Sequence, residues 1–293
     1  MMKQTTNEII MIKPHAFKFN FETAVNNVYQ KNLNEGEEII QKKASEEFEN
    51  MVEMLKKRGV KVNVLEDFET PETPDSIFPN NWFSTEVQHL VIYPMFAENR
   101  RAEVGKFFES VKNLNEDKEV LDFRGEGILE GTGSMVLDRV NRVAYASISA
   151  RTEEALFEKF CEILGYEKIT FTSYQDEMPI YHTNVMMSIG TELAFLAYEL
   201  IEEKSRDYVY EKLNQSHEVI KLNSEEVKAF GGNLLELEGE NGRFLLMSKT
   251  AYEMFSREKI EKIEEYLDIL SVDVSTIENY GGGSVRCMVA EIF

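Results

Sequence analysis

The feature that most constrains this chain of 293 residues is a repeat of about fifty. Five segments place a small or polar pair ahead of a strand-like run, and the second member of each pair is Trp82, Ser134, Asn184, Asn233 or Ser284. The intervals, 49 to 52 residues, are near-equal, and a fixed period of this size dictates architecture before any single element is assigned. Within a unit the pattern reads strand, short turn, strand, helix. In the second unit SMVLD and VAYASIS alternate on either side of RVNR, and Ala155, Leu156, Phe160, Ile163 and Leu164 then recur at helical spacing. The fourth repeats this with LLELE, a GENG turn, RFLLMS and a helix from about Ser256 to Leu267. The last unit stops after one strand, at Phe293. Its missing partner is predicted to be the N-terminal strand EIIMIKP, with a helix in AVNNVYQ or SEEFENMVEMLKKRG and a further strand in KVNVLED. Joining the chain ends makes a ring, which removes exposed sheet edges. The expectation is one domain over residues 1–293: an α/β fold of five ββαβ-like units about a pseudo-fivefold axis, a five-bladed propeller.

Charge narrows the partners. With 53 acidic against 32 basic residues the formal charge is −21, so nucleic acid and anionic membrane are repelled over most of the surface. The two cysteines, Cys161 and Cys287, are too few for a disulfide framework, the start MMKQTTNEIIMIKP lacks a signal-peptide pattern, and no apolar run reaches the roughly 18 residues of a membrane span. The expected setting is cytoplasmic, with neither nucleic acid nor membrane as partner and homo-oligomerisation left open.

A ring gathers the starts of its inner strands at one end of the axis, so residues near each repeated pair should converge there. Unit one offers Asp75, Asn80 and Asn81 in PDSIFPNNWFS, unit two Glu130 in LEGTGS, unit three His182 and Asn184 in YHTN, and unit five Cys287 in GGGSVRC. A thiol, an imidazole and a carboxylate at equivalent positions form a nucleophile, acid/base and orienter set. The alternative for Cys287 is a buried small hydrophobe in an apolar strand, and its glycine-rich approach argues against that. Cys161, on an amphipathic helix, is expected in the core. His15, His89 and His217 lack such placement, and no H-x-x-H or C-x-x-C spacing supports a metal site. Gly281-Gly282-Gly283 precedes a strand and is followed by no Lys-Ser/Thr, so it reads as a pocket rim and not as a phosphate loop.

The repeat and these residues resemble the guanidino-group-modifying enzymes, the penteins: arginine deiminase, dimethylarginine hydrolase, succinylarginine dihydrolase and the amidinotransferases, with the nearest likeness to citrulline utilisation hydrolases. The resemblance runs from IIMIKPHAFKFNFETAVNNVYQ through FPNNWFS, YPMFAENRRAE, LEGTGSMVLDR, SARTE and YHTNVMMS to GGGSVRCM. It implies Cys287 as nucleophile, His182 as general acid/base and Glu130 as the carboxylate that binds a substrate N–H. It implies Asp75, Asn80 and Asn81 as substrate-binding, with Arg100 or Arg101 and Arg151 holding the substrate's α-carboxylate. It implies no cofactor.

Departures from the resemblance bear on the substrate. Amides stand at Asn80, Asn81 and Asn184 where relatives place acidic side chains against a guanidinium. A carboxamide both donates and accepts, whereas a carboxylate only accepts. The amides therefore suit the neutral ureido group of citrulline, although succinylarginine dihydrolase looks similar around H-T-N. Citrulline hydrolysis to ornithine, ammonia and carbon dioxide through a covalent Cys287 intermediate is the expected reaction. Arginine deiminase, dimethylarginine or succinylarginine hydrolase, amidino transfer, and a non-catalytic binding protein on the same fold are the alternatives. With a neutral substrate, the Cys287 thiolate needs either an ion pair with His182 or nearby amide donors.

Overall fold

The structure, a computed structural model, describes residues 2–293. Its strands form five three-stranded sheets and a small hairpin, Tyr174–Gln175 with Met178–Pro179. In the second sheet Phe83–Thr85 pairs antiparallel with His89–Ile92, which pairs parallel with Glu119–Asp122 across the helix Glu98–Asn113. The same order recurs in Val136–Asp138, Val143–Ser147 and Glu167–Phe171, crossing through Glu154–Leu164. It recurs again in Met187–Ile189, Leu193–Leu196 and Glu218–Lys221, and in Leu235–Gly239, Gly242–Ser248 and Asp268–Val272. Each parallel pair needs a crossover, and a helix supplies it.

The remaining sheet joins the two ends of the chain. Ala290–Glu291 runs antiparallel to Glu8–Lys13, which runs parallel to Lys61–Glu66 across the long helix Glu37–Lys57. That helix takes in most of SEEFENMVEMLKKRG and begins well before it, and its Ala44, Phe48, Met51, Val52 and Leu55 are buried on one face. AVNNVYQ forms turns instead of a helix. The Asn27 side chain bonds the Gly281 and Gly282 carbonyls, and asparagines that find such partners compete with helical backbone.

The repeated pair proves to be where neighbouring units hook together. Thr183 Oγ1 donates to the Ser134 carbonyl and Asn233 Nδ2 to the Asn184 carbonyl at 3.1 Å. Gln4 reaches two first strands at once, donating to the Leu137 and Ile189 carbonyls. Cys161 is buried on its helix as expected, and burial pushes its thiol up to about 12. No described helix is long and apolar enough to cross a membrane.

Gly232 is needed for this close approach, because a Cβ there would clash with the Val185 carbonyl oxygen and lie 2.8 Å from Met186 Cα. These are backbone atoms and cannot rotate away. Gly232→Ala should cost about 1–3 kcal/mol of stability in denaturant unfolding; an unchanged midpoint would contradict the packing described.

Candidate active site

One cavity of about 270 Å³ gathers side chains from the first, second, third and fifth units, and Cys287, His182, Asp75, Asn81, Arg100 and Arg151 all line it. Gly281, Gly282 and Gly283 form part of its rim, and Thr23 and Asn27 reach it from the irregular segment 14–36. A second cavity of about 450 Å³ lies beyond Asn184 and is lined by Arg139, Arg286, Glu236 and Glu291 but by no cysteine or histidine.

Glu130 precedes a single helical turn, Gly131–Ser134. Ser134 Oγ accepts the Glu130 N–H and donates to the Arg151 carbonyl, so one hydroxyl clamps both stretches. The Glu130 carboxylate, 0% exposed, accepts the Phe96 N–H at 2.9 Å, contacts His182 Nε2 at 2.7 Å and faces Arg151 at 3.4 Å. Burial alone would raise its pKa, but Arg151, His182 and Arg100 together outweigh it and hold the carboxyl well below its ordinary range. Burial pushes His182 the other way, down to about 4 against the pull of Glu130. His182 is therefore neutral near pH 7, donating its Nε2–H to Glu130 and leaving Nδ1 with a lone pair. Gly133 makes room for the ring: a Cβ there would lie 2.8 Å from His182 Nδ1 and would strike Asn81 Nδ2. The reacting end of the cavity thus has Asn81 and His182 side by side.

Cys287 does not lie in a strand. Its N–H returns to the Ser284 carbonyl and the Val289 N–H to the Arg286 carbonyl, so this stretch winds as a turn and pairing begins only at Ala290. The sulfur is approached by Asn184 Nδ2 at 3.6 Å and by Asn233 Nδ2 at 3.2 Å. Arg286 bonds the Val289 carbonyl and Glu291, away from this sulfur.

The arginines separate into different roles. Arg100 spends its donors on Glu103, on the Phe78 and Asp75 carbonyls and, at 2.7 Å, on Asn81 Oδ1. An arginine only donates, so the oxygen of Asn81 must face Arg100 and its Nδ2 must face the cavity, where it has no protein partner. Arg151 is held by Asn26 Oδ1 and the Thr23 carbonyl and lies over the Tyr181 ring. Arg101 is not brought to the cavity; it bonds the Met95 and Phe96 carbonyls and lines a separate recess, because successive helical residues cannot share a face. Asn80 is also turned away from the lining and bonds Thr132 Oγ1 at 3.2 Å. Asp75 accepts from Asn20 and Thr23 and keeps Oδ1 unpartnered.

Asn233 was missed as a site residue, as were Asn20, Thr23, Asn26 and Tyr181. The signal for Asn233 was available: it is the fourth unit's equivalent of Asn184. Among the described residues no group of three or more His, Cys, Asp or Glu has the placement to hold a metal ion.

A buried thiol, imidazole and carboxylate drawn from separate units of a five-sheet α/β molecule define the pentein, or guanidino-group-modifying, class. The family model described as N,N dimethylarginine dimethylhydrolase, eukaryotic, matches residues 13–293, and the chain belongs to that family, whose enzymes are cysteine-dependent hydrolases of guanidino substrates. No curated protein matches the sequence. Solved structures match the fold. The N-terminal domain of cyanobacterial ArgZ, an arginine dihydrolase, in a variant covalently bound to a reaction intermediate, is 15% identical with a TM-score of 0.79, covering 98% of this chain and 97% of that one. AgrE with L-arginine is 15% identical with a TM-score of 0.80 over 98% of this chain, which spans only 40% of the AgrE chain. Dimethylarginine hydrolase from Pseudomonas aeruginosa, complexed with citrulline, is 18% identical with a TM-score of 0.71 over 99% and 100% of the two chains.

The two perturbed groups set a pH dependence of stability. Between pH 6.5 and about 4 the unfolded His182 takes a proton that the folded one refuses, and below about 4.5 Glu130 does the same. For these two groups the unfolded state binds more protons, so their contribution to stability falls as pH falls, whereas Glu103, pushed up to about 7 by burial, contributes the opposite slope. In thermal unfolding, lowering the pH below 6.5 should reduce Tm in the unaltered protein relative to His182→Gln; equal slopes in the two would contradict the neutral buried imidazole.

Proposed function

We propose that this enzyme hydrolyses the ureido group of citrulline, giving ornithine, ammonia and carbon dioxide. The observation that carries the reading is the Asn81 amide, locked by Arg100 so that a donor faces the cavity beside His182. A guanidinium offers only N–H groups and would leave that donor unmatched, at a cost of about 1–3 kcal/mol. A ureido oxygen accepts from it.

In the proposed mechanism Cys287 is the nucleophile, His182 the general acid/base and Glu130 its partner. As the sulfur bonds to the ureido carbon, the carbonyl electrons move to the oxygen, where Asn81 Nδ2 meets the developing charge. His182 Nδ1 takes the thiol proton and delivers it to the departing ammonia. Water, deprotonated at the same nitrogen, attacks the thiocarbamate, the C–S bond breaks with the Cys287 sulfur taking that proton back, and the released carbamate loses carbon dioxide to leave ornithine. The substrate's α-carboxylate falls to Arg151, whose Nε and one terminal nitrogen meet only neutral acceptors that a carboxylate replaces with stronger bonds. Arg100 is instead the residue that orients Asn81. The same reading includes the five sheets as blades about one axis, supported by first strands that lie side by side, and a cytoplasmic setting, supported by two free buried thiols.

A second reading, arginine hydrolysis that continues through the ureido stage, is favoured by the free Oδ1 of Asp75 in the same cavity, which suits a cation. An ammonia-release assay separates the two. Citrulline should be turned over faster than arginine, agmatine or methylated arginines, and Cys287→Ala should fold and release none. Asn81→Asp keeps the Arg100 contact but removes the donor; kcat/KM for citrulline should fall about a hundredfold while arginine gains relative to it. Arginine turned over faster than citrulline by the unaltered enzyme would reject the ureido reading.

A further inference from the structure

We propose that Asn233 is a catalytic residue, whose side-chain amide holds the Cys287 sulfur as the reacting anion. This rests on Cys287 being the nucleophile and says what arms it.

Asn233 Nδ2 lies 3.2 Å from Cys287 Sγ, nearer than the Asn184 amide at 3.6 Å. Its orientation is not free. Asn233 Oδ1 accepts the backbone N–H of Arg286 at 3.1 Å, and a backbone N–H only donates, so the amide cannot turn over. A further bond from Nδ2 goes to the Asn184 carbonyl at 3.1 Å. The side chain, 1% exposed, is thus fixed with one N–H on the sulfur.

The cationic routes to a thiolate are already committed. Glu130 occupies His182 Nε2, and burial disfavours a proton on Nδ1, so an imidazolium–thiolate pair is not preformed. Arg100 bonds Glu103 and Asn81, Arg151 bonds Glu130 and Asn26, and the neighbouring Arg286 bonds Glu291. The Cys287 N–H is spent on the Ser284 carbonyl. Two carboxamides from equivalent positions of the third and fourth units remain, and hydrogen bonds to a charged form favour that form. A neutral cradle also matches a neutral substrate, which brings no cation to lower the thiol's proton affinity.

A purely structural role, tying the 284–289 turn to Asn184, would leave sulfur chemistry unmoved once the protein is folded. The test is the pH dependence of Cys287 alkylation by iodoacetamide, read by intact mass, with Cys287→Ala as the background control for Cys161. In Asn233→Ala the pH of half-maximal alkylation should rise by about one unit, and kcat should fall about tenfold with little change in KM. Asn233→Asp retains the acceptor for the Arg286 N–H but sets a carboxylate against the sulfur, so its midpoint should rise further; it carries the test alone if Asn233→Ala fails to fold. Unchanged midpoints in folded variants would overturn this inference. Ammonia release surviving in Cys287→Ala would instead overturn the nucleophile itself.

Discussion

Glu130 has no exposed surface and stays ionised, and much of the site follows from satisfying it. A buried carboxylate costs several kcal/mol unless charges and hydrogen bonds surround it. The donors come from Phe96, Arg151 and His182, three stretches remote from one another in the chain. None can leave without stranding the charge. The carboxylate therefore fixes the imidazole's tautomer and its ring position, and it tethers Arg151 at the same time. The surrounding low polarity, which makes an unpaired charge so costly, also keeps the imidazole neutral, with the Nδ1 lone pair free.

The amides follow a related logic with no net charge. A carboxamide can present either end to a ligand, and this molecule decides which by placing an unambiguous donor behind the oxygen. For Asn81 that donor is the Arg100 guanidinium, and for Asn233 it is the Arg286 backbone N–H. Both side chains are thereby turned into fixed donors at the reacting end. On the proposed reading, substrate choice and nucleophile activation then depend on groups that never touch the substrate. An Arg100→Lys change would keep the charge yet lose the fork that spans Glu103, Asn81 and the Phe78 carbonyl.

The five-unit organisation was legible because strand alternation, turn residues and helical spacing recur at one period. So was the closing strand pair, since the last unit visibly lacked a partner. Most of the residues that line the cavity were legible too, because they lie near equivalent positions of the repeated units. What escaped was side-chain direction. Asn80 and Asn81 adjoin in sequence, yet one bonds Thr132 and the other faces the cavity, and the same split separates Arg100 from Arg101. Cys287 read as strand because GSVRCMVAEI is apolar, while its backbone bonds wind it into a turn that no composition signals. The part played by segment 14–36 was also hidden: Asn20, Thr23 and Asn26 hold Asp75 and Arg151 across long sequence separations, which periodicity does not report.

The clasp between Ala290–Glu291 and Glu8–Lys13 has a bearing on when the enzyme becomes competent. It joins residues from opposite extremes of the polypeptide, so the loop entropy of closing it is offset only once the intervening sheets are in place. Cys287, the proposed nucleophile, stands three positions ahead of that clasp. On the proposed roles, a partly assembled molecule carries the thiol without the amides beside it, so reactivity arrives together with completed architecture, and a misassembled intermediate stays chemically quiet.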